Sequence, residues 1–240
     1  MTNVADADIF HLPHDGKLRD DDLGRYSLLP RFLAGEGKDD RGRMIYDVWD
    51  MSMDSLEECH DYIQRIFPLR TRSGSDPSAP LAMPLSIYKE LEAPIKKNML
   101  QSLDTMLAFY GFERQDPKDV AEVEMDPTGS TSSTSNTGST DGTGNTGNSP
   151  VPSGRITKAG TFGQRKRVWI GLLNHNYKRI TRIILSLKLF SLDEEAAALA
   201  NCLDVVSRHH PSMLFPNAMY WQKAMADCSA KIFDISKGYR

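Results

Sequence analysis

Apolar side chains recur every three to four positions in five stretches of this chain, and polar or proline-bearing stretches separate them. The first stretch runs from about Asp54 to Phe67, with Leu56, Cys59, Ile63 and Ile66 on one stripe. Asp54 suits its N-cap because a carboxylate accepts from orphan amides, and Glu57 stands three residues later as in a capping box. Pro68 stops it, since proline lacks the amide proton and restricts its predecessor. Pro84 and Pro94 suit first turns, so the pattern predicts a short helix at 84–92 and a longer one at 94–110. Ile95, Met99, Leu103, Met106, Leu107 and Tyr110 hold one face of the longer helix, and Gly111 fits its left-handed C-cap.

A strong helix follows at about 175–189, with Ile180, Ile183, Ile184 and Leu187 inward. Ser191 and Glu194 read as a capping box for the next helix, whose stripe is Leu192, Ala196, Leu199, Leu203 and Val206 and which Pro211 ends. A last helix from about Asn217 would bury Trp221, Met225, Cys228 and Ile232. Met44–Trp49 is short, apolar and ambiguous between helix and strand, and Pro30–Gly35 reads as an entry segment. The expected fold is all-α: a single compact domain of five to seven helices, with no convincing strand pattern and no internal repeat.

Composition changes this picture in two places. Residues 1–29 are acidic and aperiodic, so most of that segment is expected to be disordered. Residues 126–155 form a Ser/Thr/Gly/Asn tract with almost no large apolar side chain, which cannot offset the entropy of ordering it. Closing a loop of that length costs only a few kcal/mol, so the tract reads equally as a domain boundary or as a disordered insertion within one domain. The rest of the chain, with 40% hydrophobic residues overall, can bury a sizeable core.

The net charge of −3 hides an asymmetry. Residues 1–125 carry 15 Lys/Arg against 24 Asp/Glu, while residues 156–240 carry 13 against 6. Two halves of opposite sign are either modules with different partners or, more economically, two parts of one domain that attract each other. Arg165–Arg167 is a basic cluster, but three charges beside a flexible tract read as solvated surface, so no strong nucleic-acid signal is present. Three cysteines, Cys59, Cys202 and Cys228, give neither a disulfide framework nor a cysteine zinc site. The N-terminus has no apolar run of the signal-peptide kind, and no stretch reaches the roughly 20 apolar residues of a spanning helix. The expectation is an intracellular chain, cytoplasmic or nuclear.

The candidate chemistry sits on two of the helices. At 100° per residue, His175, Arg179 and Arg182 share one narrow stripe beside Asn176 and Ile183. On the earlier helix, Glu57, His60, Asp61 and Gln64 flank the face of Leu56, Ile63 and Phe67. One reading makes these edges ion pairs that fix the register of two packed helices, with the Arg stems lying over apolar surface. The other makes them a shared site for a ligand or for acid–base work. Glu57-x-x-His60 has the spacing of di-iron bundles, but the second Glu-x-x-His that such sites need is missing, so no metal and no cofactor is expected. No phosphate loop, nucleophile elbow or His-Glu-x-x-His motif occurs.

Phe32–Glu36, Asp40–Arg43, Trp49, His60–Gln64 with Phe67–Leu69, Asp76–Leu81, Phe109–Gly111, Trp169, His175–Asn176, Arg179–Ile183, Ser186–Leu187 and Tyr220–Trp221 form an ordered set of motifs. As a set they resemble the conserved region of the opioid growth factor receptor family, over about 30–225. The resemblance implies one conserved domain at 30–240, with the 126–155 tract as an insertion inside it. The sequence departs from the family at Arg65, where the pattern puts an aromatic, so any pocket lined by that ring is in question. The expectation is a non-vertebrate member without the long C-terminal repeat region of the vertebrate type. The resemblance also implies receptor-like binding of an opioid growth peptide, with membrane or nuclear-envelope association. Such a ligand needs an anion for its amine and aromatic slots for its Tyr and Phe; Asp61 or Glu57, with Tyr62, Phe67, Trp49 and Trp169, are the candidates. The candidate ligand-binding set is therefore His60, Asp61, Gln64, His175, Asn176, Arg179, Arg182, Trp49 and Trp169. The rival readings are a small-molecule enzyme using His60, His175 and Arg179, and a purely structural scaffold.

Overall fold

The computed structural model describes residues 28–82, 85–115 and 155–226, and the fold is mostly helical. The expectations for residues 1–27, for the tract at 126–154, and for Cys228 and Ile232 lie outside the described residues. Helix α1 covers 28–34, and three short helices follow: α2 (Ile45–Trp49), α3 (Met53–Glu58) and α4 (Ile63–Ile66). A 3₁₀ segment at Leu85–Leu91 leads into α5 (Glu92–Tyr110). Strands β1 (Phe112–Gln115) and β2 (Arg155–Lys158) come next, then α6 (Phe162–Trp169), α7 (Asn176–Leu189), α8 (Asp193–His209) and α9 (Pro211–Ala226).

Several local expectations need correction. Residues 28 and 29, the last of the segment expected to be mostly disordered, are already in α1, because Pro30 suits a first turn and Leu29 buries against the core. The expected helix from Asp54 to Phe67 is two helices. Ser52, not Asp54, caps the first, its Oγ accepting from the Ser55 amide at 3.1 Å. The chain turns extended at Cys59, with ψ 126°, before α4 begins. Ser191 is no N-cap: it lies in the left-handed region at φ 57° and closes the end of α7, where the Leu192 amide bonds back to the Leu187 carbonyl at 2.8 Å. Pro211 opens α9 rather than merely ending α8, since its missing amide is free of cost at a first position. The basic cluster Arg165–Arg167 lies within the helix α6.

The strand pair is the one element with no signal in the sequence. β1 and β2 run antiparallel, Phe112 opposite Lys158 and Gln115 opposite Arg155, so Arg155, assigned to the tract, is paired. Four-residue strands are too short to display an alternation of period two. The ribbon brings the chain on either side of residues 116–154 together. Gly111, at φ 84°, lets α5 turn into it, as its place after Tyr110 predicts. A Cβ at Gly111 would lie 2.7 Å from the Phe162 Cα, so this position also sets how closely α6 approaches α5.

One core runs through all of these elements. Trp169, Tyr110, Phe112 and Phe162 pack ring against ring where α5, β1 and α6 meet. The apolar stripes of α7, α8 and α9 close on one another around Ile180, Leu203 and Trp221. α7 then presents its remaining, polar stripe to residues 56–68.

Candidate functional site

α7 meets the segment 56–68 through side chains spaced three or four residues apart. Asn176 Nδ2 donates to Glu57 Oε2 at 3.0 Å, Arg182 donates to the Phe67 carbonyl at 3.2 Å, and Ser186 Oγ to the Pro68 carbonyl at 3.0 Å. Between them Arg179, with only 5% of its surface exposed, donates to the carbonyls of Leu56 (2.8 Å), Glu57 (3.2 Å) and Cys59 (2.8 Å). Asn176 and Arg179 thus serve residues 56–59, and Arg182 and Ser186 serve 67–68, so one helical stripe spans a run of chain that changes from helix to turn.

The physical role of Arg179 follows from where α3 ends. A helix leaves its last carbonyls without amide partners, and a positive charge there also complements the helix dipole. In most helices glycine or water completes the end. Here a guanidinium from 122 residues away does so, and it lies over Tyr62, with Cζ 5.5 Å from the ring centre. The Tyr62 hydroxyl donates to the Leu56 carbonyl at 2.9 Å, and burial raises its pKa well above the ordinary phenol value despite the neighbouring Arg179.

Above the arginine lie two exposed imidazoles, His60 and His175, edge to face with centres 5.0 Å apart. Arg179 Nη2 lies 2.9 Å from His60 Nδ1. Guanidinium can only donate, so Nδ1 accepts and the His60 proton sits on Nε2. His175 Nε2 stands 3.6 Å from Glu57 Oε1, and burial together with the charge of Arg179 lowers the His175 pKa. Glu57 is 4.0 Å from Arg179 at its nearest approach, so its charge is shared among neutral Asn176, His175 and the arginine rather than neutralised by one close pair.

Of the candidate residues, the structure thus brings His60, His175, Asn176 and Arg179 together around Glu57. The others turn elsewhere. Asp61 accepts from Arg43 at 2.8 Å and from the Cys59 thiol at 3.0 Å; burial would raise its pKa, but these two donors hold it below the usual carboxylate range. Gln64 is buried and faces Ser73 at 3.4 Å, and its Oε1 has no hydrogen-bond partner among the described residues. Arg182 keeps to the Phe67 carbonyl, and burial lowers its pKa to about 10. The Trp49 indole donates to Ser102 at 2.9 Å. Trp169 is fully buried, bonded to the Tyr110 carbonyl at 3.0 Å, as Tyr62 and Phe67 are buried, so none of these three rings offers a surface slot.

The sequence reading missed a second polar centre, built around Arg65. This side chain is 0% exposed and holds Asp40 bidentately, at 2.5 and 2.7 Å, and Asp76 at 2.7 Å. It also bonds the Asp61 carbonyl, and Asp39 stands 3.7 Å away while accepting from Arg43. Burial alone would lower the Arg65 pKa; the bonds to Asp40 and Asp76 reverse that and raise it. Asp76 likewise falls below the usual carboxylate range, because Ser78 and Arg65 outweigh its burial. A signal did exist: an arginine between Gln64 and Ile66 lies inside a buried turn, where a charge requires partners.

With both centres in view, the chain can be compared with known proteins. Residues 41–125 match the family of the opioid growth factor receptor (OGFr) conserved region. Over that span the chain is similar to the opioid growth factor receptor conserved region. It is 35% identical over 83 residues to the opioid growth factor receptor of Rattus norvegicus, a match covering 31% of this chain and 13% of that protein. For the receptor of Mus musculus the figures are 34% over 83 residues, 31% and 12%. The match thus spans only about an eighth of the length of these relatives. No solved structure matches the chain. The Arg65 centre lies within the matched span except for Asp39 and Asp40, which stand just before it. The conserved region also holds Glu57 and His60, whereas Asn176 and Arg179, which clasp it, lie beyond. No group of three or more His, Cys, Asp or Glu suited to a metal ion occurs among the described residues. Nor is any helix among them long and apolar enough to cross a membrane.

Proposed function

We propose that this chain is a receptor-type binding module that takes the amine end of a short peptide at the rim formed by Glu57, His60 and His175. The observation that carries the proposal is the match of residues 41–125 to the opioid growth factor receptor conserved region, whose relatives are named as receptors. The geometry supports the choice of carboxylate. Asp61 is spent on Arg43, whereas the basic group nearest Glu57 Oε1 among the described residues is His175, at 3.6 Å. The exposed imidazoles beside it supply flat surface for a ring, and Trp49, half-buried, is the one indole of the candidate set that keeps surface.

A binding role suits this centre better than a catalytic one. The anion clamp that an enzyme would need is occupied, because the donors of Arg179 already point at protein carbonyls, Asn176 and His60. The same observation favours the scaffold reading, in which the rim has no ligand. Calorimetric titration with Met-enkephalin separates the two. Heat above peptide-into-buffer controls, lost in Glu57→Gln, is expected for the binding module. No heat above those controls sinks it and leaves the scaffold.

A further inference from the structure

Leu172 and Leu173 are 82% and 92% exposed, the two most exposed large apolar side chains among the described residues. Adjacent leucines in that state on an ordered surface call for an explanation. Slack chain does not provide one, because the loop between α6 and α7 is pinned at both ends. The Tyr177 hydroxyl donates to the Gly171 carbonyl at 2.5 Å and accepts from the Gly171 amide at 3.0 Å. Asn174 donates to the Val168 carbonyl at 2.8 Å and accepts from the Asn176 amide at 2.9 Å. Leu173 itself sits at φ 56°, a left-handed conformation that leucine rarely adopts. The fold therefore holds an apolar tip outward in a fixed and unfavourable backbone shape.

The charge around the tip is one-sided. Between residues 155 and 192 there are nine Lys/Arg and no Asp or Glu. Arg179, Arg182 and Arg165 reach inward to carbonyls. Lys166 and Arg167, just before the loop, and Lys178, just after it, form no salt bridge with any described residue; Arg167 and Lys178 are exposed. Glu57, the acid that does approach from the facing segment, is engaged by Asn176 and His175.

An exposed apolar tip between unpaired cations suits an interface that is apolar inside and anionic at its surface. We propose that the Leu172–Leu173 loop docks the chain on anionic lipid bilayers, the leucines entering the headgroup boundary and Lys166, Arg167 and Lys178 meeting lipid phosphates and carboxylates. A protein pocket would be the other occupant, but two fully protruding neighbours flanked by like charge on both sides fit an extended anionic plane better than a cleft. Binding is weak and salt-sensitive, because the tip is small and part of the attraction is screened.

The test uses the full chain and sedimentation with vesicles, either pure phosphatidylcholine or one part phosphatidylserine to two parts phosphatidylcholine, at about 0.1 M salt. The wild-type chain is expected to pellet with the anionic vesicles and far less with the neutral ones. The double variant Leu172→Ser/Leu173→Ser should lose roughly tenfold or more of that partitioning. Arg167→Glu/Lys178→Glu should lose a comparable factor, at about fivefold per charge removed. All the substituted side chains are exposed, so thermal unfolding of both variants should match the parent. A wild-type chain that stays in the supernatant at both compositions overturns the proposal and leaves the leucines to a protein pocket. Equal pelleting of the wild type and the leucine variant, or equal partitioning onto neutral and anionic vesicles, overturns it as well.

Discussion

Arg65 and Arg179 are both buried arginines in contact with residues 56–68, yet they are satisfied in opposite ways. Arg65 is met by carboxylates, Asp40 and Asp76, with Asp39 close by. Arg179 is met by neutral acceptors: three backbone carbonyls, the Asn176 amide oxygen and an imidazole nitrogen. The first arrangement trades the desolvation of a cation against that of anions, and it holds only while both signs are present. The second gives a cation to a helix end that already carries partial negative charge and needs no counter-ion close by. A buried arginine is thus no evidence of an anion site until its acceptors are counted.

The comparison can be broken most forcefully at Arg65. Arg65→Ala strands Asp40 and Asp76 in partly buried positions, and it is expected to lower the unfolding free energy by about 3–5 kcal/mol. Denaturant titration measures this; a loss below about 1 kcal/mol would mean that the carboxylates find water instead. Arg179→Ala removes donors from carbonyls without stranding a charge, so the expected loss is smaller, about 2–3 kcal/mol. Arg179→Lys should recover only part of it, because one ammonium cannot span carbonyls that the planar fork reaches together.

Acid titration sharpens the contrast. Asp76 and Asp61 have folded pKa values below their ordinary ones. Their contribution to stability is therefore present above the unfolded value near 3.9 and is lost as the pH falls through the folded values. Unfolding monitored between pH 5 and pH 2 should show this acid limb in the wild type and in Arg179→Ala, and a flatter one in Arg65→Ala. The smallest effect is at His175, whose pKa is lowered by burial and by Arg179. Its contribution is present above the ordinary imidazole value near 6.5 and fades as the pH falls through the folded one. In Arg179→Ala the His175 titration followed by NMR should move up, while in Arg65→Ala it should stay where it is in the wild type.

These two centres also show what the sequence could and could not reveal. The stripe of α7 was legible because an α-helix converts spacing into direction: His175, Arg179 and Arg182 had to share a face, with Asn176 beside them. Its partners were half legible. Glu57 lies on a helix as expected, but His60 stands in the turn between α3 and α4; the break at Cys59 did not announce itself, because what completes the end of α3 is a side chain 120 residues away. Local cap rules see only local groups, so they place a cap at Asp54 and a helix start at Ser191, neither of which the structure has. The Arg65 centre was visible only as a misfit within an apolar turn. Its partners Asp40 and Asp76 stand 25 and 11 residues away on loops with no periodicity to orient them. The β1–β2 ribbon left no trace for the same reason.

The central claim is that Arg179 is a joint, tying α7 to the end of α3 and the turn before α4. Amide hydrogen exchange on Arg179→Ala tests it most directly. The Cys59 amide bonds to the Ser55 carbonyl, and the Ile66 and Phe67 amides bond to the Tyr62 and Ile63 carbonyls, so all three report on that segment. If Arg179 is the joint, these amides exchange roughly tenfold faster or more, corresponding to about 1.4 kcal/mol of local protection, while those of α8 and α9 change far less. If they exchange within about twofold of the wild type while the binding of Met-enkephalin is lost, Arg179 serves a ligand and the joint is contradicted.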